Sequence, residues 1–148
     1  MVSVKGFGKP MMDYDLVKYE FDLGFQFPTE YKKFLKNSNG GVPDPKKFDL
    51  EGKVRQGLSI DFFLGINVEK EKNVFYILKM AKSLIPKGFV PFALTEGAGV
   101  LFIGVGDESF EKIYFWDRGD VDNPTQAVEG ENLFPVAPNF EEFLNSIY

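Results

Sequence analysis

The stretch from Leu23 to Gly41 constrains this chain more than any other, because it dictates where one helix stops and the next begins. Gly24 suits a helix end, having no Cβ to oppose a left-handed backbone. Pro28 suits the start of the next helix, since its nitrogen lacks a hydrogen at a position where none is needed. Tyr31, Phe34 and Leu35 then share one helical face, which predicts that this face is buried. Asn39-Gly40-Gly41 ends the helix with residues that tolerate positive φ. These glycines carry two readings: a turn whose backbone amides hold a ligand, or a C-cap followed by a sharp reversal. The reversal explains them without a ligand and is preferred.

The remaining sequence alternates between helical and strand periods. Residues 1–12, with Gly6, Gly8 and Pro10, read as an extended lead-in. Asp13 or Asp15 is placed to cap a first helix running to Leu23, with Leu16, Val17, Tyr19 and Phe21 as its apolar members. Pro43, Pro45, Gly52 and Gly57 then break the chain, leaving room for a short strand at Lys47–Leu50. Leu58, Ile60, Phe62 and Leu64 alternate as one face of a strand. From Glu69 to Leu84 the period changes: Val74, Ile77, Leu78 and Ala81 line one side, with Lys70, Lys72, Lys79 and Lys82 outside, as in an amphipathic helix. Pro86 and Gly88 end it. Three strands follow, at Phe89–Leu94, Val100–Val105 and Lys112–Asp117, joined by turns containing Gly97-Ala98-Gly99 and Gly106-Asp107-Glu108. Phe102 and Ile103 lie in an almost unbroken apolar run, which predicts a central strand covered on both faces. Asn139 caps a closing helix whose stripe is Phe140, Phe143, Leu144 and Ile147. The expected fold is α+β: one domain over residues 1–148, with a mixed, mainly antiparallel sheet. An N-terminal helix pair, one inserted helix and a C-terminal helix flank that sheet.

Composition narrows the chemistry. The chain has no histidine and no cysteine, which removes His- or Cys-based zinc sites and Ser-His or Cys-His nucleophile pairs. No catalytic, cofactor-binding or metal-binding residue is therefore expected. A carboxylate-pair hydrolase is the remaining enzymatic alternative, and no spacing among the 22 Asp and Glu singles out such a pair. A net charge of −5 opposes a nucleic-acid-binding surface. No apolar run reaches the roughly 18 residues of a membrane helix, and no signal pattern opens the chain, so a cytoplasmic protein is expected. The 17 Phe predict a core packed on large rings.

The residues assigned to partner binding lie late in the chain: Tyr114, Trp116, Asp117, Arg118, Asp120, Asp122, Glu129 and Glu131. Alternation puts Tyr114 and Trp116 on one face of a strand and Ile113 and Phe115 on the other. Trp116, the only tryptophan, has two readings, core packing or an interface anchor beside Asp117 and Arg118. The acidic residues of the following loop read either as a solvated edge or as a surface that steers a basic partner. The spacing of Asp117, Asp120 and Asp122 does not reproduce a calcium loop.

The order Leu-Gly…Pro…Tyr…Phe-Leu…Asn-Gly-Gly resembles the opening of the SUKH superfamily. Three later passages extend the similarity: Pro86 with Val90-Pro91-Phe92 and Gly99, Ile113-Tyr114-Phe115-Trp116-Asp117, and Asn139-Phe140-Glu141-Glu142-Phe143-Leu144. Two positions depart from the family pattern, with Val100 where an acidic residue is common and Asn139 where serine is. The resemblance implies an α+β domain without a catalytic centre, and a bacterial immunity protein that binds a cognate toxin directly. Its partner would be a basic toxin domain such as a nuclease. A regulatory or scaffold module in cell-wall synthesis or signalling is the alternative that the resemblance implies.

Overall fold

A computed structural model describes residues 2–97, 99–120 and 122–148. The helix pair is present as α1 (Asp13–Leu23) and α2 (Thr29–Asn37). Gly24 adopts φ 76° and donates its N–H to the Glu20 carbonyl at 2.9 Å, closing α1 in the left-handed conformation. Pro28 stands at the N-cap of α2. Neither Asp13 nor Asp15 is the N-cap of α1; Met12 is, and its N–H donates to the Asp15 carboxylate at 3.4 Å. Glu20 pins the turn between the helices, accepting the Phe27 N–H at 2.7 Å and lying 3.5 Å from the Lys32 ammonium. Of the apolar residues in α1, Leu16 is buried, whereas Val17 and Phe21 face solvent.

Strands β3 (Lys47–Phe48), β4 (Leu58–Phe63), β5 (Phe89–Thr95), β6 (Gly99–Gly104), β7 (Ile113–Asp117) and β8 (Leu133–Ala137) form a six-stranded antiparallel meander. A two-stranded sheet joins β1 (Ser3–Lys5) to β2 (Val42–Asp44). Among the described residues, parallel pairing is confined to single bridges, Gly65 with Asn73 and Glu129 with Leu133. β6 is buried along its whole length, as its apolar run requires. The turn before it contains Ala98, which lies outside the described residues. β8 is an edge strand, which is why it accommodates Pro135.

Two expectations from periodicity are corrected. The helix expected over 69–84 is instead a 3-10 turn at Lys70–Lys72 followed by α3 (Val74–Met80). Asn73 separates them: its backbone is extended, and its carboxamide oxygen accepts the Phe75 N–H at 2.8 Å. The Val74 N–H meanwhile donates to the Gly65 carbonyl at 2.9 Å, so this point pairs with a neighbouring strand end instead of continuing a helix. In β4 the register shifts between Ile60 and Phe62. This bulge turns Phe63 into the core beside Leu64 and leaves Phe62 half-buried, edge-on to Phe7 at 5.7 Å.

The main core lies between one sheet face and helices α2 and α4 (Phe140–Ser146). Asn139 caps α4, its side-chain oxygen accepting the Glu142 N–H at 2.9 Å. The Phe140 ring sits 5.3 Å from Tyr31, 5.4 Å from Phe34 and 5.4 Å from Phe92. Each such ring stabilises the fold by about 1.5–3 kcal/mol through burial. The opposite face is covered by Leu84 and Ile85 in the turn after α3, against Phe89, Phe102 and Trp116.

Asn39 is fully buried at φ 43°. Its side-chain NH2 donates to the carbonyls of Lys9 at 2.9 Å and Ile66 at 2.7 Å, while its oxygen accepts the Ile66 N–H at 2.8 Å. A Cβ on Gly40 would lie 2.9 Å from backbone atoms of Phe63, Leu64 and Gly65. The Asn-Gly-Gly reversal therefore packs backbone against backbone, which accounts for these residues structurally.

Tyr31 is also fully buried, and its hydroxyl finds no hydrogen-bond partner among the described residues. Burial pushes its phenol pKa far above the ordinary value. Replacing an unpaired buried hydroxyl by hydrogen removes a desolvation penalty without breaking a bond. Tyr31→Phe is expected to leave stability unchanged or raise it by about 1 kcal/mol, read by urea denaturation.

Candidate functional site

The candidate residues fall on β7 and on the loop that follows it. Ile113 and Phe115 face the main core, and Tyr114 and Trp116 face the smaller cluster on the other side. Trp116 is only 1% exposed, stacked on Phe102 at 5.6 Å, and its indole N–H donates to the Thr125 carbonyl at 3.0 Å. Its reading as an interface anchor is therefore corrected: the indole offers a partner no surface, and its contribution is to hold the loop. Tyr114 remains half-buried, edge-on to Phe89 at 5.3 Å. It opens onto a shallow hollow of about 340 Å³ that Lys87, Lys112 and Glu129 also line.

Burial raises the Tyr114 phenol above its ordinary value, with the carboxylates of Glu129 and Glu51 adding to the shift. A raised pKa favours the neutral phenol in the fold. Its contribution to stability is complete below the unfolded tyrosine value and is lost as pH rises through the folded one. Ultraviolet titration of the wild type minus Tyr114→Phe is expected to show a phenol ionising above the ordinary range. Glu129→Gln should lower that transition.

Asp117 lies on the opposite side of the strand from Tyr114. Its carboxylate pairs with Arg55 at 3.2 Å and accepts the Gly119 N–H at 3.1 Å, so it is engaged within the fold. Arg55 in turn lies over the Phe115 ring. Arg118 is half-buried, and its carbonyl accepts the Thr125 N–H at 3.0 Å. Desolvation lowers its guanidinium pKa without removing its charge at neutral pH. Asp120 accepts the Asp122 N–H at 2.9 Å in an exposed turn. Glu129 and Glu131 are exposed on a second turn. The set does not converge on one pocket. Asp120, Asp122, Glu129 and Glu131 are exposed, Tyr114 and Glu129 line one hollow, and Asp117 is paired with Arg55.

The loop backbone is held at several points. Besides the Trp116 and Arg118 bonds, the Ala127 N–H donates to the Leu84 carbonyl at 3.0 Å. Asn132 accepts the Val128 N–H at 2.7 Å and donates to the Gln126 carbonyl at 2.9 Å. Asn132 was missed from sequence, where one asparagine in a polar run carries no distinguishing signal. Carboxylates on a fixed backbone lose less conformational entropy on binding than those on a mobile loop. Among the described residues, no group of three or more acidic side chains is arranged to hold a metal ion.

The chain matches the SMI1 / KNR4 family (SUKH-1) over residues 11–146. It belongs to that family. The match runs from the residue before the α1 cap to the end of α4, so this SUKH-1 region includes the Leu23–Gly41 segment and every candidate residue. β1 precedes it. No curated protein matches the chain. Within the SUKH-1 region, no described helix is long and apolar enough to cross a membrane.

Proposed function

We propose that this SUKH-1 protein is a non-enzymatic, cytoplasmic binding protein that acts as an immunity protein, neutralising a cognate bacterial toxin by direct contact. The observation that carries this reading is the acidic loop: exposed carboxylates at Asp120, Asp122, Glu129 and Glu131 on a backbone tied down through Thr125, Ala127 and Asn132. Such an array mimics a run of phosphates and fits the basic cleft of a nuclease domain. Charge of this kind raises the association rate, while a half-buried aromatic group such as Tyr114 lengthens residence. Family membership and the absence of histidine and cysteine support binding over catalysis.

The test is co-expression with a candidate toxin, beginning with any that an adjacent gene encodes. Wild-type protein is expected to restore growth. A variant carrying Asp120→Lys, Asp122→Lys, Glu129→Lys and Glu131→Lys is expected to fail while remaining folded by circular dichroism. Recovery of cell-wall or signalling proteins from the native cell, with no toxin among them, would overturn this reading in favour of a regulatory or scaffold module.

A further inference from the structure

A second surface lies away from the acidic loop. A groove of about 940 Å³ runs between the α1–α2 turn, α3 and the hairpin that follows β6. Its floor is apolar, with Phe25, Phe75, Leu78 and Ile85 among its lining, and Lys79, Lys82 and Lys87 rim it. All three lysines are exposed, and none forms an ion pair among the described residues. The groove therefore presents large apolar contacts framed by these three lysines and one carboxylate, Asp107, which leaves the rim net positive.

The complementary surface is on the same molecule. Tyr14, Val17 and Phe21 are 73%, 63% and 85% exposed, which is far more than a core-facing helix residue shows. They stand at i, i+3 and i+7 of α1, opposite the buried Leu16, which is the spacing of helices that dock into apolar grooves. α1 carries four acidic residues, Asp13, Asp15, Glu20 and Asp22, against Lys18, so its net charge opposes that of the groove rim. The groove begins at Leu23, two residues beyond Phe21, so knob and socket adjoin. An adjoining knob and socket is what a self-complementary contact about a two-fold axis requires.

We propose that the protein forms a two-fold dimer in which α1 of each copy docks in the lysine-rimmed groove of the other, with Phe21 as the anchor. This one contact covers both the exposed helix stripe and the open groove. It is independent of the acidic loop and leaves that loop free.

Sedimentation velocity on the full chain over about a hundredfold concentration range tests it. The wild type is expected to shift from monomer to dimer, and Phe21→Glu is expected to weaken dimerisation by about 30-fold or more. Because position 21 is solvent-facing within one copy, this variant keeps its native circular dichroism. Lys79→Glu with Lys82→Glu should also weaken the dimer. A wild type that stays monomeric throughout, or a dimer indifferent to Phe21→Glu, overturns the proposal. So does a monomer whose groove binds an acidic amphipathic peptide or an anionic detergent, which would give the groove a different occupant.

Discussion

Asn39→Ala is expected to destabilise the fold by about 3–5 kcal/mol, lowering the melting temperature by roughly 10 °C. The substitution deletes three hydrogen bonds, freeing the Lys9 carbonyl and leaving the carbonyl and N–H of Ile66 buried without these partners. Those partners also fix the orientation of the carboxamide, because two carbonyls require the NH2 and one N–H requires the oxygen. Asn39→Asp separates shape from hydrogen bonding. An ionised carboxylate would set acceptor against acceptor at both carbonyls, so it is disfavoured and its folded pKa is raised. The variant's deficit should therefore shrink at low pH, where the carboxyl keeps its proton, and grow as pH rises through the folded pKa. Thermal melts of the three proteins at acidic and neutral pH check this. Equal stability of Asn39→Ala and wild type would show that the side chain is not the tether described.

Trp116→Ala should destabilise by about 3–5 kcal/mol, the range for emptying a buried aromatic site. Its indole lies against Phe102 and holds the Thr125 carbonyl, so the loss includes a cavity and a released loop. Tyr114→Ala, at a half-buried position, should lower stability by only about 1 kcal/mol while weakening the proposed toxin contact. Denaturation followed by the emission of the single tryptophan, and by circular dichroism for Trp116→Ala, separates the two residues. If Trp116→Ala kept full stability and lost only binding, the indole would be an anchor after all.

Much of the fold was legible because local rules and tertiary packing agree. Gly24, the Tyr31–Leu35 face, the run through Phe102 and the Asn139 cap each do what their residue types favour. The failures arise where a distant contact overrides local periodicity. The pattern over 69–84 is helical throughout, but the Gly65 bridge draws Asn73 out of the helix. The alternation in β4 ends at a bulge that only pairing with β5 reveals. β1 is too short to signal itself, and exists because it pairs with β2 beside Gly41.

At the candidate site, charge and exposure could be read from sequence but not direction. Alternation placed Tyr114 with Trp116, yet only packing shows Trp116 covered by the turn after α3 while Tyr114 stays open. Asp117 looked like part of the acidic surface until Arg55, distant in sequence, appeared beside it. Conversely, Lys79 and Lys82 read as an ordinary solvated helix face, and the groove they rim forms only when α3 meets the α1–α2 turn.

The proposal that the acidic loop neutralises a toxin is tested most directly by calorimetric titration of a candidate nuclease toxin domain into purified protein. A one-to-one complex is expected, weakened by added salt and by about a hundredfold or more in the four-lysine variant of Asp120, Asp122, Glu129 and Glu131. No binding, or binding that is equally tight in that variant, would contradict it.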